Sequence, residues 1–407
     1  MSRILLTWEL GLNLGHLARL LPVAQQLEKD GHTVLVATRD IQAAASILMP
    51  VGIPFVQAPY LAKGIPLAHR PAGYADILLS QGWSDPVVLG GLTRAWLNVI
   101  RLFGPDRLVL DYSPTVALAA RIAGIPVVLI GNGFELPPEA DPLPCFPGFS
   151  WATPAKAAES ESAAVANANR VLTGFRAKPI SALRDLTLGQ AKLLSTFPEV
   201  DHYGPRPDAQ YIGPLLPPLS SLRIDWPKAA GPKVFASLRP DTSQVRQILE
   251  ALGELRGSVV CVTTGFSASQ LEPFRKSHIQ FSLQPVDLNL MLKADLCISY
   301  GAEGTMLKFL SAGVPQLVSP WHVETYMAVR RLEAAGLGAS FAAQLTDSPA
   351  VEAIEHLIGN ERVRTDARDF ARRSKTVPLA ELALLIGDSG VPLSQQLPAV
   401  ANPFSVN

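Results

Sequence analysis

The sequence predicts an α/β protein built from two doubly wound domains, and three observations carry that expectation. The chain has 407 residues, too many for one ordinary hydrophobic core and ample for two. Short apolar runs alternate with longer amphipathic stretches in both halves, the rhythm of parallel strands joined by crossover helices. A breaker-rich segment, Tyr211-Ile212-Gly213-Pro214-Leu215-Leu216-Pro217-Pro218, separates the halves and reads as a linker.

Taken in order, Ile4 to Trp8 reads as a strand and Leu17 to Lys29 as a helix. In that helix Leu17, Leu20, Leu21, Ala24 and Leu27 share one face, and Gly31 is the stop signal. Thr33 to Ala37 is the next strand and Ile41 to Met49 the next helical stretch; Arg107 to Leu110 and Pro126 to Ile130 are strands around the apolar run Thr115 to Ile122. Between Gln57 and Ile100 the period is lost among prolines, glycines and the aromatic residues Tyr74, Trp83 and Trp96. A long irregular excursion is expected there, either an acceptor-binding surface or a surface excursion with a small satellite core. Past the linker, Val234 to Leu238, Val259 to Thr263 and Leu296 to Ser299 read as strands and Gln244 to Leu255 as a helix. The expected domains are 1–215 and 225–375, with the Ser-, Pro- and Gln-rich residues 388–407 a flexible tail.

Composition narrows the function classes. Hydrophobic residues make up 48% and charged residues 17%, and Lys+Arg 35 balances Asp+Glu 35, so nothing favours nucleic acid as a partner. Cys145, Cys261 and Cys297 form no close pair, which argues against a disulfide framework or a zinc site and for a reducing cytoplasm. The N-terminus has too short an apolar run for a signal peptide, and no uncharged run has membrane-spanning length. Stable membrane insertion is therefore not expected, while peripheral contact with the inner face of a membrane is compatible with an apolar acceptor. Neither a GxGxxG after the first strand nor a GxxxxGK(S/T) is present, which argues against a dinucleotide oxidoreductase and a P-loop enzyme.

The most informative stretch runs from Cys297 to Pro320. A strand ends at Ser299, the small residues of Tyr300-Gly301-Ala302-Glu303-Gly304-Thr305 permit a tight turn, and a helix is expected to open at about Thr305 and stop at Gly313. Free backbone N–H groups and the positive end of the helix dipole then face whatever sits over Gly304 and Thr305, and a diphosphate is the obvious candidate. The alternative is a small-residue turn that only packs the helix tightly on its sheet.

This stretch resembles the donor-binding signature of the family 1 glycosyltransferases, the GT-B class that includes bacterial macrolide and plant flavonoid transferases. Gly301, Gly304, Thr305, Leu310, Gly313, Val314, Pro315, Pro320 and Glu324 fall in register with its HGGxGTxxEALxxGVPxxxxPxxxDQ pattern. Gly15-His16, with Gly31-His32-Thr33-Val34 downstream, is similar to the family's GHxxPxxxLAxxLxxxGHxV opening, and Asp111 sits where the family places an aspartate partner. The sequence departs from the pattern at Tyr300 in place of a histidine, Lys308 in place of a ribose-binding glutamate, Thr325 in place of a glutamine and Arg239-Pro240 in place of Gly-Ser.

The resemblance implies a GT-B fold, two Rossmann-like domains facing across a cleft, and an inverting, metal-independent transfer of a sugar from a nucleotide diphosphate sugar, UDP- or dTDP-sugars favoured. The nucleotide sugar is a co-substrate; no further cofactor and no metal are expected. His16 is the expected general base, kept neutral by the dipole of the helix it opens, and Asp111 is expected to hold its tautomer. Arg239, Tyr300, Gly301, Gly304, Thr305, Lys308, Glu324 and Thr325 are the expected donor-binding residues, with Arg239 restoring charge lost at Tyr300. Trp83, Asn132, Phe134 and His322 are the expected acceptor-binding residues, for a small-molecule or lipid acceptor. Two other readings stay open: a sugar-nucleotide 2-epimerase of the same fold, and a catalytically degenerate nucleotide-sugar-binding protein.

Overall fold

The computed structural model describes residues 1–12, 14–218, 220–341 and 350–387. They form two compact units, one of residues 1–198, 205–215 and 376–387, the other of residues 199–204 and 216–375. The expected flexible tail, 388–407, lies outside the described residues.

The first unit is built on a seven-stranded sheet of β1 (Arg3–Trp8), β2 (Thr33–Thr38), β3 (Phe55–Gln57), β4 (Arg107–Asp111), β5 (Val127–Gly131), β6 (Ala191–Leu194) and β7 (Gln210–Tyr211), in the order β3-β2-β1-β4-β5-β6-β7. Every pairing is parallel. β4 and β5 are buried along their whole length, as expected of strands covered by helices on both faces. The connecting helices include α1 (Gly15–Lys29), α2 (Ile41–Ile47), α3 (Tyr74–Leu78), α4 (Pro86–Phe103), α5 (Pro114–Ala123) and α6 (Pro154–Gly174). Because the winding reverses between β1 and β4, their carboxyl ends form the crevice where open α/β sheets bind ligands.

The expected irregular excursion is largely helical. Asp85 caps α4 by accepting from the N–H groups of Val87 and Val88, Pro86 occupies its first turn, and Leu89, Thr93, Trp96 and Ile100 bury one face. The pair Gly90-Gly91 and the fully solvated Val87 blur that period in the sequence, which is why it reads as structureless.

The second unit carries a six-stranded sheet of β8 (Lys233–Ser237), β9 (Ser258–Val262), β10 (Ile279–Ser282), β11 (Leu296–Ser299), β12 (Gln316–Val318) and β13 (Gly338–Ser340), ordered β10-β9-β8-β11-β12-β13 and again parallel. Its switch point lies between β8 and β11. α7 (Val245–Glu254), α8 (Ala268–Leu271), α9 (Glu303–Leu310), α10 (Val323–Ala334), α11 (Ala350–Gly359) and α12 (Glu361–Arg373) connect and flank these strands.

α13 (Leu379–Gly387), which follows α12 in sequence, belongs to the first unit. Leu382, Ala383 and Ile386 join the core beneath α1, and the buried Arg107 guanidinium donates to the terminal carbonyls of Leu385 and Ile386 at 3.3 and 2.9 Å. A cation thus satisfies carbonyls that the helix end leaves without internal partners. No described helix is long and apolar enough to cross a membrane.

Candidate active site

In the first unit the chemistry gathers at the switch point. β1 ends at Trp8, the chain loops through Gly11, and α1 begins one residue before His16. β4 ends at Asp111, so the two side chains meet at the carboxyl edge of neighbouring strands. The His16 Nδ1–H donates to Asp111 Oδ1 at 2.7 Å; because a carboxylate can only accept, Nδ1 holds the proton and the neutral ring keeps its lone pair on Nε2. His16 is 6% exposed and Asp111 fully buried. Trp8 stacks on the imidazole with ring centres 5.0 Å apart, and the Tyr112 ring centre lies 6.2 Å from it.

Two charged residues that the motif comparison passed over complete the cluster. Arg19, one helical turn after His16, donates through Nη1 to both Asp111 oxygens at 3.0 and 2.9 Å and to Glu135 Oε2 at 2.7 Å. Glu135, in the turn after β5, places Oε1 3.6 Å from His16 Nδ1. The three-residue spacing of His16 and Arg19 was visible in the sequence as one helical face; the approach of Glu135 was not. His16, Asp111 and Glu135 form a cluster whose spacing could hold a metal ion, but Arg19 already brings positive charge to both carboxylates. Burial pushes the His16 pKa down, and the Asp111 and Glu135 carboxylates outweigh it, leaving the pKa above its ordinary value. The two carboxylates at close range thus outweigh the opposing partial charge of the helix terminus.

Backbone geometry holds this arrangement. Gly11 has φ +82°, and a Cβ there would stand 2.3 Å from His16 Nε2 and 2.9 Å from Cε1, so a side chain at position 11 would cover that nitrogen. Tyr112, next after Asp111, has φ +45°, a conformation that costs a non-glycine residue energy and is held here by the hydrogen bond from Leu10 N–H to its carbonyl. Glu9 is 1% exposed and its carboxyl accepts from Thr115 N–H at 2.9 Å in the first turn of α5; burial raises its pKa to about 7.

Three expected acceptor residues in this unit have structural roles. Trp83 is fully buried and its indole N–H donates to Thr115 Oγ1 at 3.2 Å. Asn132 is buried and its side-chain oxygen accepts from the N–H groups of Phe134 and Glu135, closing the turn that presents Glu135. Phe134 is buried and stacks on Phe146 with ring centres 5.3 Å apart. A different, small cavity of about 60 Å³ is lined mainly by apolar side chains such as Tyr74, Leu110, Pro114, Leu129 and Leu136, and it reaches Tyr112 and Glu135. No periodicity marked it, because its walls come from separate strands, helices and loops.

In the second unit Ser299 lies level with Ser237, so the residues after β11 and β8 emerge side by side. Arg239 and Tyr300 are accordingly brought together: the guanidinium carbon stands 5.7 Å from the Tyr300 ring centre and 5.9 Å from that of Trp321, while Nε donates to Asp241 at 3.2 Å. Burial raises the Tyr300 pKa and Arg239 partly offsets it, so the phenol stays protonated and able to donate. Gly301 has φ +89°, and a Cβ there would come 3.0 Å from Thr325 Cβ and Cγ2, which places the start of α10 against the glycine turn. α9 opens at Glu303, one turn-residue pair before the expected Thr305, so Gly304 and Thr305 lie within its first turn; Ala302 at the N-cap has no side-chain oxygen to occupy the free N–H groups.

The remaining donor candidates divide. Glu324 is half-buried in the first turn of α10, and Lys308 half-buried on α9. Thr325 is buried and its hydroxyl accepts from the N–H groups of Trp321 and His322 while donating to the His322 carbonyl, which caps α10. His322 is the N-cap of α10, its Nδ1 accepting from Thr325 N–H at 3.4 Å, and burial lowers its pKa to about 4.

No protein-family model matches the chain, and no curated protein matches it in sequence. Solved structures do. The glycotransferase of kitacinnamycin superposes with a TM-score of 0.68 at 17% identity, over 98% of this chain and 99% of that one. The spinosyn rhamnosyltransferase SpnG complexed with thymidine diphosphate gives 0.66 at 16% identity, over 95% and 100%. The glycosyltransferase SnogD from Streptomyces nogalater gives 0.64 at 19% identity, over 94% and 98%. The chain therefore has the GT-B fold of these antibiotic glycosyltransferases across nearly its whole length.

Proposed function

We propose that the chain is an inverting glycosyltransferase that moves a sugar from a nucleoside diphosphate sugar to a hydroxyl group of an apolar acceptor. The observation that carries this reading is the buried His16–Asp111 pair, its Nε2 facing Gly11, at the switch point of a GT-B fold. In the proposed step Nε2 takes the acceptor hydroxyl proton, the oxygen bonds to the anomeric carbon, and the bond from that carbon to the diphosphate oxygen breaks with its electron pair leaving on the nucleoside diphosphate. Asp111 stabilises the imidazolium that results.

The leaving diphosphate is assigned to the first turn of α9, where free N–H groups at Gly304 and Thr305 act with the Tyr300 hydroxyl and the Arg239 charge. These donors stabilise the developing negative charge without requiring a metal. UDP- and dTDP-sugars are the favoured donors, the latter also supported by thymidine diphosphate in a structural neighbour. The cavity that reaches Tyr112 and Glu135 is the proposed acceptor site, and its mostly apolar lining suits an apolar part of the acceptor. Thermal melting with UDP, dTDP and GDP tests the donor assignment. One of them at a hundred times its Kd should stabilise the fold by about 2.7 kcal/mol; no shift with any nucleotide contradicts the reading.

A further inference from the structure

His16 and Asp111 share their pocket with a second carboxylate and a guanidinium for which simple proton transfer needs no role. A single nitrogen, Arg19 Nη1, reaches both oxygens of Asp111 and Oε2 of Glu135, and none of the four residues is more than 7% exposed. Glu135 is fixed independently: its Oε2 accepts from Asn132 N–H at 2.8 Å, and the Asn132 side chain ties down the Phe134 and Glu135 N–H groups. Charges placed this deliberately away from water act at low dielectric on the one titratable ring among them. The groups facing that ring are Asp111 at the end of β4, Tyr112 beside it, Glu135 after β5 and Arg19 on its own helix, with Trp8 as a non-ionising wall.

We propose that Arg19 and Glu135 are positioning residues that set the basicity of His16, Glu135 strengthening the base and Arg19 keeping it from being permanently protonated. The inference rests on the reading of His16 as general base. With a neutral imidazole, two carboxylates and one guanidinium leave a single net negative charge, and the proton taken from the acceptor brings the cluster to zero. Without Arg19 the ring faces two uncompensated carboxylates and holds its proton at neutral pH. Without Glu135 the charge of Asp111 is cancelled by Arg19 and the base is weak.

The test is an NMR titration of the His16 Cε1–H in the full chain, for wild type, Arg19→Gln, Glu135→Gln and the double variant. Glu135→Gln is expected to lower the His16 midpoint and Arg19→Gln to raise it, each by about one pH unit or more. The double variant restores the single net negative charge and is expected to return close to wild type. Single variants that shift in the same direction or not at all, or a double variant that stays displaced, overturn the proposal. Arg19→Lys, which keeps the charge, is expected to stay near wild type and carries the test with Glu135→Gln if Arg19→Gln does not fold; a large upward shift in Arg19→Lys counts against the charge argument. The acidic limb of kcat/KM separates the two readings. If the NMR midpoints move as expected and that limb does not follow, His16 is not the base, and the assignment of its basicity to Arg19 and Glu135 stands.

Discussion

His16 shows how competing local effects are decided by magnitude. Its place in the first turn of α1 opposes a positive charge by roughly 0.3–1 kcal/mol. Asp111 at 2.7 Å and Glu135 at 3.6 Å act over much shorter distances in a buried site, and the net result is a raised pKa. Asp111 was legible in the sequence because it ends a strand in register with a known motif; Glu135 was not, since only the folded sheet brings the turn after β5 beside α1. Glu9 went equally unnoticed, an acidic residue beside an apolar strand that turns out to hold the start of α5. Its folded pKa of about 7 lies above its ordinary 4.5, so the protonated carboxyl is favoured by folding. Its contribution to stability is complete below about pH 4.5 and is lost as the pH rises through about 7, a difference on the order of 3 kcal/mol. Glu9→Gln, which mimics the neutral acid, is expected to flatten the fall in melting temperature between pH 5 and 8. An unchanged pH dependence in the variant places that titration elsewhere.

Elements were read best where one local signal fixed both ends. α1, β4, α5 and β11 fall close to their sequence expectations, because the apolar pattern and a nearby glycine agree in each. α4 was hidden by its glycine pair, and the capping box of His322 and Thr325 was not read from the sequence, because residue types that bind sugars also cap helices. The turn from Tyr300 into α9 was legible almost to the residue, since it depends on backbone that only glycine permits. Gly301→Ala tests that element. Its φ of +89° and the approach of Thr325 predict a loss of about 1–3 kcal/mol in stability and disappearance of the nucleotide-induced melting shift, as displacement of the turn would misalign the α9 N–H groups. A nucleotide shift of wild-type size in the folded variant contradicts the cradle.

At the scale of the whole molecule, each sheet places its polar residues at its own switch point: His16 and Asp111 in the first unit, Arg239 and Tyr300 in the second. The repeated β-α rhythm and the linker announced two such sheets, but the return of α13 to the first unit was invisible, because an apolar helix near the end of a chain carries no mark of the core it joins. The acceptor cavity was invisible for the same reason. The most direct test of the central claim is turnover of a panel of nucleotide sugars with hydroxylated apolar acceptors, read by mass spectrometry for both the glycoside and the released nucleoside diphosphate. Wild type is predicted to form both in equal amounts and His16→Ala to lose about 10²–10⁴-fold in rate while keeping its nucleotide melting shift. Glycoside formation at the wild-type rate in His16→Ala would contradict the account.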